Sequence, residues 1–196
     1  MSCDTFGLRM LLSRSLREQM HQASKWLQNL GRELLKVLAA SKRGGNFLEL
    51  GTGTGIATAW LLDGMDKDSK LISVDTDSEV QDVARDFLGD ARLTLVISDA
   101  IEFLRHEEAE SFDLVFADAM PGKYEGLNEA LRVVKPGGFY VIDDMLPQPN
   151  WPEGHAAKVP VLMNELAANE CLSISPLAWS SGIVLAVKRA GLGRAR

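Results

Sequence analysis

Cysteine is scarce in this chain. Only Cys3 and Cys171 occur among its 196 residues, and their wide separation fits neither a zinc site nor a redox pair. We interpret Cys171 as a small buried hydrophobic residue and Cys3 as a free thiol. No apolar run approaches the roughly 18 residues that a membrane-spanning helix needs. Reduced thiols and the lack of such a run favour a cytoplasmic protein with no membrane partner.

The net charge is −6, but basic residues are not scarce everywhere. Residues 1–43 contain eight Lys and Arg against three Asp and Glu, a balance of +5, whereas residues 44–196 have a balance of −11. This asymmetry disfavours a uniformly basic nucleic-acid-binding protein. The basic segment could meet an anionic partner, and we favour the alternative that it packs against the acidic body.

Leucines recur at helical spacing through the first forty residues. The pattern predicts two N-terminal helices, separated near residues 21–24 and ended by residues 41–45. We expect residues 1–43 to form a helical cap.

After Gly45, short continuous apolar runs alternate with helical stretches. Continuous apolar runs are typical of strands that are buried on both faces, and their alternation with helices predicts an α/β, doubly wound, mostly parallel Rossmann-like sheet. The last two strands are too close for a crossover helix, so we expect an antiparallel last strand in a seven-stranded sheet. The domain would span residues 44–188, followed by an unstructured tail at 189–196. The predicted strands are Phe47–Leu50, Leu71–Val74, Leu93–Ile97, Phe112–Ala117, Phe139–Ile142, Cys171–Leu177 and Ile183–Val187, and the predicted helices are 56–64, 77–88, 100–107, 124–133 and 155–169.

A glycine-rich turn joins the first strand to the next helix. Gly51, Gly53 and Gly55 would let the backbone approach a ligand, while the helix start presents free N–H groups to a carboxylate or phosphate. The spacing G-x-G-x-G is tighter than the dinucleotide pattern G-x-G-x-x-G, and no Gly-Lys-Ser/Thr follows as in a phosphate-binding loop. The alternative is a turn that binds nothing.

Acidic residues follow the second and third strands. Asp75 stands twenty positions after Gly55, where a carboxylate can accept hydrogen bonds from two ribose hydroxyls. NAD would use the same placement, so Asp75 predicts a nucleoside-containing ligand without choosing between them. Asp77 and Asp99 both suit the N-cap of a helix.

The glycine spacing resembles the first motif of class I S-adenosylmethionine-dependent methyltransferases. In that family an Asp at the position of Asp99 faces the adenine amino group, and the next backbone N–H, here of Ala100, faces a ring nitrogen. The resemblance implies S-adenosyl-L-methionine as the cofactor. The contacts it implies are Glu49, Gly51, Thr52, Gly53, Gly55, Asp75, Thr76, Asp99, Ala100 and Asp118.

Two further segments resemble the metal-dependent O-methyltransferases that include catechol and caffeoyl-CoA methyltransferases. Asp118-Ala119 with Tyr124 matches that family's fourth strand end, and Asp143-Asp144 stands where the family has Asp-Asn. The resemblance implies that Asp118, Asp143 and Asp144 hold Mg²⁺ or another divalent cation, and three oxygens at adjacent strand ends suit such an ion. Alternatively, Asp143 and Asp144 lie in a turn and Asp118 holds the cofactor's ammonium.

The general base departs from the family pattern. The position of the family's lysine is Pro121, and the nearest amine is Lys123. His155 follows a proline-rich loop at 147–154 that we expect over the mouth of the site, unless it is a solvent-exposed residue at a helix start. The catalytic candidates are therefore Asp118, Lys123 and His155.

These observations favour an O-methyltransferase that acts on the hydroxyl of a small-molecule acceptor. The family resemblance also implies a homodimer through the N-terminal helices. Three alternatives stay open: a methyltransferase of nucleic acid or protein that docks through its basic helices, a catalytically silent cofactor-binding protein, and an NAD-dependent oxidoreductase.

Overall fold

The computed structural model describes residues 30–191. Helix α1 occupies residues 30–40 and ends in a turn, where Ser41 N donates to the carbonyl oxygen of Val37 at 3.1 Å. This agrees with the predicted helix end at 41–45. The first predicted helix, the break at 21–24 and the last residues of the predicted tail lie outside the described residues.

Seven strands form one sheet in the order β3-β2-β1-β4-β5-β7-β6. Strands β1 to β5 pair in parallel, whereas β7 is antiparallel to both of its neighbours. The predicted fold class is therefore confirmed. The strands are β1 (Asn46–Leu50), β2 (Lys70–Asp75), β3 (Leu93–Ile97), β4 (Phe112–Ala117), β5 (Val134–Ile142), β6 (Leu172–Leu177) and β7 (Ile183–Lys188).

Helices cover both faces of the sheet. Leu35 and Leu38 of α1 pack with Leu61 of α2 on one face, while α4, α5 and α6 bury Leu104, Leu131 and other apolar residues on the opposite face. This two-sided burial is why the strands consist of continuous apolar runs. The helices after α1 are α2 (Ile56–Gly64), α3 (Ser78–Phe87), α4 (Ala100–His106), α5 (Leu127–Val133) and α6 (His155–Ala168).

Two element boundaries differ from the prediction. The segment Lys135–Gly138 lies inside β5 as an irregularity of the ladder, with Gly137 at φ 76°, and does not form a separate turn before the strand. Helix α5 begins at Leu127 and not at 124, because Gly126 in the left-handed region is its N-cap. Residues 121–125 instead form a loop that closes on itself through a bridge between Pro121 and Glu125.

Near the end of the described chain, the structure differs from the prediction in the burial of Cys171 and in where the ordered backbone ends. Cys171 is exposed, so the prediction of a buried residue is wrong. Arg189 N donates to the carbonyl oxygen of Cys171 at 2.8 Å, so the ordered backbone continues one residue past the predicted domain end. Across residues 30–191, none of the helices has the length and apolarity that a bilayer crossing would need.

Candidate functional site

A cavity of about 370 Å³ opens at the carboxyl ends of the parallel strands. It lies where β1 has β2 on one side and β4 on the other, the switch point at which doubly wound sheets bind ligands. The lining residues come from α1, from the turn after β1, from the start of α2, and from the ends of β2, β4, β5 and β7. They are Gly31, Arg32, Leu35, Gly51, Thr52, Gly53, Thr54, Ile56, Ala57, Asp75, Phe116, Asp118, Ala119, Val141, Asp143 and Ile183.

The glycine turn takes a conformation that side chains would obstruct. Gly51 has φ 100°, and a Cβ there would lie 3.1 Å from the Cβ of Ala119. Gly55 has φ 83°, and a Cβ would lie 2.7 Å from Leu88 and 2.8 Å from Ala84, so glycine lets α2 start close to α3. Helix α2 has no side-chain cap and no acidic residue in its first turn. Its N–H groups therefore remain for an anionic ligand group.

Asp75 fixes the turn to the end of β2. Its Oδ2 accepts from Gly53 N at 2.9 Å, and its Oδ1 accepts from Asp77 N at 3.0 Å. Each carboxylate oxygen keeps further acceptor capacity toward the cavity that Asp75 lines. Thr76, the neighbouring predicted contact, is exposed and does not line this cavity.

Glu49 and Thr52 support the turn from below. Glu49 is fully buried, and its Oε2 accepts from Thr58 Oγ1 at 2.6 Å and from Ser73 Oγ at 2.5 Å. Its Oε1 has no hydrogen-bond partner among residues 30–191. Thr52 Oγ1 lies 2.7 Å from Ser73 Oγ. Glu49 does not line the cavity, and its direct contact with the cofactor stays a prediction.

Burial raises the pKa of Glu49 from 4.5 to about 8, with smaller contributions from Asp118 and Asp75. A raised folded-state pKa makes the folded protein less stable relative to the unfolded chain as the pH rises from about 4.5 to about 8. The variant Glu49→Gln mimics the neutral acid and lacks this loss. We therefore expect its melting temperature to match the wild type near pH 5 and to exceed it increasingly up to pH 8. Parallel pH curves for the two proteins would contradict the prediction.

Asp118 directly follows β4 and lines the cavity. The carboxyl of Asp118 stays accessible to water through the cavity. Partial desolvation by the surrounding protein nevertheless raises its pKa from 3.8 to about 7. Repulsion from Asp143 and Asp144 adds to this, whereas Lys123 and Arg32 act in the opposite direction. A carboxyl group that titrates near neutral pH is suited to accept a proton.

The predicted metal ligands do not converge on one point. Among residues 30–191, no three Asp, Glu, His or Cys side chains are placed to hold a metal ion. One oxygen of each of two carboxylates has a protein donor, because Asp143 Oδ1 accepts from Ser181 Oγ and from Asp144 N, and Asp144 Oδ2 accepts from Trp151 Nε1 at 2.7 Å. A divalent cation held by Asp118, Asp143 and Asp144 stays a prediction.

Lys123 and His155 lie outside the cavity lining. Lys123 is 2% exposed, and its Nζ donates to the backbone oxygen of Asp143 at 3.0 Å. His155 is buried between Trp151, whose ring stacks on it at 4.1 Å, and Tyr124, whose hydroxyl lies 3.0 Å from Nε2. The alternative of a solvent-exposed histidine is therefore wrong. The catalytic roles of Lys123 and His155 stay a prediction.

Asp99 stands at the end of β3, beside the end of β2. Ser98 N donates to the backbone oxygen of Asp75 at 2.9 Å, which brings the two strand ends together. Asp99 also caps α4, because its Oδ1 accepts from Glu102 N at 2.9 Å. Neither Asp99 nor Ala100 lines the cavity around Asp75, so their adenine contacts stay a prediction.

Two participants were not predicted. Arg32 of α1 lines the cavity and lowers the pKa of Asp118. Gln81 of α3 is buried, and its Nε2 donates to Thr52 Oγ1 at 3.0 Å and to the backbone oxygen of Val96 at 3.1 Å. A polar residue on the sheet-facing side of a helix was the available signal for Gln81, whereas nothing in the sequence indicated that Arg32 faces the site.

A glycine turn and an acidic residue after the second strand, around one cavity of a doubly wound sheet, define a Rossmann-like protein that binds a nucleoside-containing ligand. A family described as a methyltransferase domain matches residues 48–145. A Mycobacterium ulcerans protein provisionally named an O-methyltransferase is 30% identical over 166 residues, 79% of this chain and 74% of that protein. The chain belongs to this methyltransferase domain family.

Other similar proteins differ in how much of their length they share. A Mycobacterium sp. (strain JLS) protein with the same provisional name is 36% identical over 115 residues, 56% of this chain and 52% of that protein. The chain thus spans about half the length of such curated relatives. The structure of an O-methyltransferase from Bacillus cereus in complex with S-adenosylhomocysteine (SAH) has a TM-score of 0.70, covers 91% of this chain and 93% of that chain, and is 20% identical. It shows that the fold is shared.

Proposed function

We propose that the chain is an S-adenosylmethionine-dependent O-methyltransferase that acts on the hydroxyl of a small molecule. The observation that carries the proposal is that the turn residues Gly51 to Thr54, together with Asp75 and Asp118, line one cavity. The family membership supports the same cofactor, as does the SAH bound to the Bacillus cereus protein.

The residues around the cavity fit this cofactor. No atom of the described residues lies within 4 Å of where a Cβ of Gly53 would stand, so this part of the chain leaves room for a ligand against the backbone of the turn. The start of α2 would receive the carboxylate of the methionine portion, and Asp75 would accept hydrogen bonds from the ribose hydroxyls. Asp118 and Asp143 would face its positive charges.

In the proposed reaction, Asp118 accepts the proton of the acceptor's hydroxyl. The bound cofactor supplies a methyl group on a positively charged sulfur, which leaves with the electrons of the broken bond. The walls of the cavity would position the acceptor oxygen against the cofactor's methyl group, and such positioning contributes about 7–11 kcal/mol to rate acceleration. No step requires a metal ligand from the protein.

Calorimetry with SAH and with NAD⁺ tests the cofactor assignment. We expect heat of binding with SAH and none with NAD⁺.

Incubation with the methyl donor and a panel of phenols, catechols and aliphatic alcohols tests the reaction, with SAH formation as the signal. A chain that binds NAD⁺ and not SAH would contradict the proposal, and methylation of RNA or protein alone would contradict the small-molecule acceptor.

Asp75→Asn should weaken SAH binding by about 10- to 100-fold, because hydrogen bonds to a charged group contribute about 1.5–3 kcal/mol. Asp77→Asn is the matched control. It removes the same charge two residues away, while asparagine can still cap α3 by accepting from Val80 N as Asp77 does. Equal SAH affinities in the two variants, measured by calorimetry, would show that Asp75 makes no ribose contact.

We also infer a cytoplasmic location, since a free, exposed Cys171 suits a reducing compartment. Dimerisation through the N-terminal helices stays a prediction. Cell fractionation tests the location, and sedimentation of the full chain with and without residues 1–29 tests the dimer.

A further inference from the structure

Gln81 is a buried amide that the proposed reaction does not use. It lies in α3 one helical turn before Ala84, on the same face of the helix, and it is fully buried. A Cβ on Gly55 would lie 2.8 Å from the Cβ of Ala84, so this face of α3 packs directly on the glycine turn. A buried amide is unfavourable unless it is hydrogen-bonded, and the partners of Gln81 indicate why it is there.

The amide of Gln81 joins the glycine turn to two strands. Its Nε2 donates to the backbone oxygen of Val96 in β3 at 3.1 Å and to Thr52 Oγ1 at 3.0 Å. The same nitrogen lies 3.4 Å from the backbone oxygen of Ser73 in β2. Because Thr52 belongs to the turn and lines the cavity, one side chain connects the proposed cofactor turn to β2 and β3.

The direction of these hydrogen bonds is set by the backbone. A carbonyl oxygen only accepts, so the backbone oxygen of Val96 requires the nitrogen end of the amide. The second N–H goes to Thr52 Oγ1. The hydroxyl hydrogen of Thr52 is then left for Ser73 Oγ at 2.7 Å, and that of Ser73 for Glu49 Oε2 at 2.5 Å. Four side chains thus form one series of donors that begins at Gln81 and ends at Glu49.

We propose that Gln81 is a positioning residue for the cofactor: its Nε2 holds Thr52, and through Thr52 the glycine turn, in the conformation that binds the methyl donor. The role requires a hydrogen-bond donor at position 81 and not merely a side chain of this size. The inference deepens the proposed function and rests on it for the identity of the ligand.

The variants Gln81→Met and Gln81→Glu separate a donor from a side chain of suitable size. Both keep approximately the length of glutamine, but methionine donates nothing, and glutamate donates one hydrogen bond only while it is protonated. Burial favours the protonated acid, so at pH 5.5 we expect Q81E to bind SAH about 3- to 10-fold more tightly than Q81M. At pH 9 the ionised carboxylate would face the backbone oxygen of Val96, and the order of the two affinities should reverse.

Calorimetric titration of the wild type and both variants at each pH measures these affinities. Glu49 and Asp75, the titratable groups that share this network and this turn, are present in all three proteins, so their ionisation does not affect the comparison. Equal SAH affinities of Q81M and the wild type would overturn the proposal, as would an order of Q81E and Q81M that is the same at both pH values. Should Q81M fail to fold, a folded Q81E at pH 5.5 would support the proposal, whereas failure of Q81E at that pH would overturn it.

Amide hydrogen exchange in the free protein tests the proposal without a ligand. Gly53 N donates to Asp75 Oδ2 at 2.9 Å, and Gly55 N donates to the backbone oxygen of Thr52 at 3.0 Å. We expect Q81M to accelerate exchange of these two amides at least about tenfold more than exchange of the amides between β5 and β7, which lie beyond β4 in the sheet. Equal acceleration of both groups would show that Gln81 serves general stability alone, and would overturn the proposal. Faster exchange in the turn of Q81M, together with a wild type that does not bind SAH, would contradict only the proposed function.

Discussion

Asp118→Asn should slow methyl transfer by about 10²- to 10⁴-fold, the range that a positioned general base contributes. Asparagine keeps the shape of the side chain at the end of β4 but cannot take a proton from the acceptor's hydroxyl. We expect the loss in kcat, with the KM for the acceptor changed far less. Initial rates at saturating methyl donor measure it.

The pH profile gives an independent signature. Asp118 must be ionised to act, and its pKa is raised to about 7, so the wild-type rate should fall about tenfold per pH unit below pH 7 and level off above it. D118N should lose this acid limb. Because the pKa of Asp118 is higher in the folded protein than in the unfolded chain, D118N should gain stability relative to the wild type as the pH rises from 3.8 to about 7 and keep that gain above it, so a slow variant would not be an unfolded one.

Asp113→Asn provides the matched control. Asp113 lies on the same strand, but at its opposite end, where it pairs with Lys135 at 2.7 Å. We expect this variant to retain the wild-type kcat and the acid limb. If D118N were as fast as the wild type, another group would have to accept the proton.

Most of the fold could be predicted because the sequence pattern of each segment favours the same strand or helix that the complete fold requires there. Continuous apolar runs mark strands that are buried on both faces, and glycine or acidic residues mark where each strand meets its helix. The segment Lys135-Pro136-Gly137-Gly138 was mispredicted because its composition is typical of a turn. Pairing of Lys135 with Asp113 and of Val134 with Phe112 draws it into the sheet, and such long-range contacts are not visible in a local pattern.

The cofactor side of the site was easier to predict than the reacting side. Gly51, Gly53 and Asp75 line the cavity because strand ends and strand-to-helix turns meet at one edge of a parallel sheet. Lys123 and His155 were predicted from their residue type and position in the sequence. Their direction depends on the left-handed glycines at 122 and 154, which turn the backbone before each of them. Residue type alone does not encode that direction.

A close approach between α1 and α2 helps to place α1 as a wall of the cavity. Gly64 ends α2, and a Cβ there would lie 2.1 Å from the carbonyl oxygen of Lys36 and 2.9 Å from its Cα. Backbone atoms of a helix cannot move aside as a flexible side chain can. The nearby ion pair of Lys36 with Asp63 at 2.6 Å is solvent-exposed and contributes little, so packing decides this contact.

Gly64→Ala should therefore lower the free energy of unfolding by about 3 kcal/mol, as overpacking does in well-packed interiors. For a domain of this size that corresponds to a fall of about 6–12 °C in the melting temperature. SAH affinity should fall as well, because displacement of α1 moves Gly31, Arg32 and Leu35 away from the cavity. Calorimetric melting and titration measure the two effects.

Gly89→Ala is the control, since within the part of the chain that the structure describes nothing lies within 4 Å of its Cβ position. We expect its stability to stay within about 0.5 kcal/mol of the wild type. Lys36→Ala removes the ion pair without touching the helix contact, and should cost less than about 1 kcal/mol. If G64A had the same melting temperature as G89A, α1 would not pack on α2 as the structure places it. The assignment of Arg32 to the cavity wall would then be wrong as well.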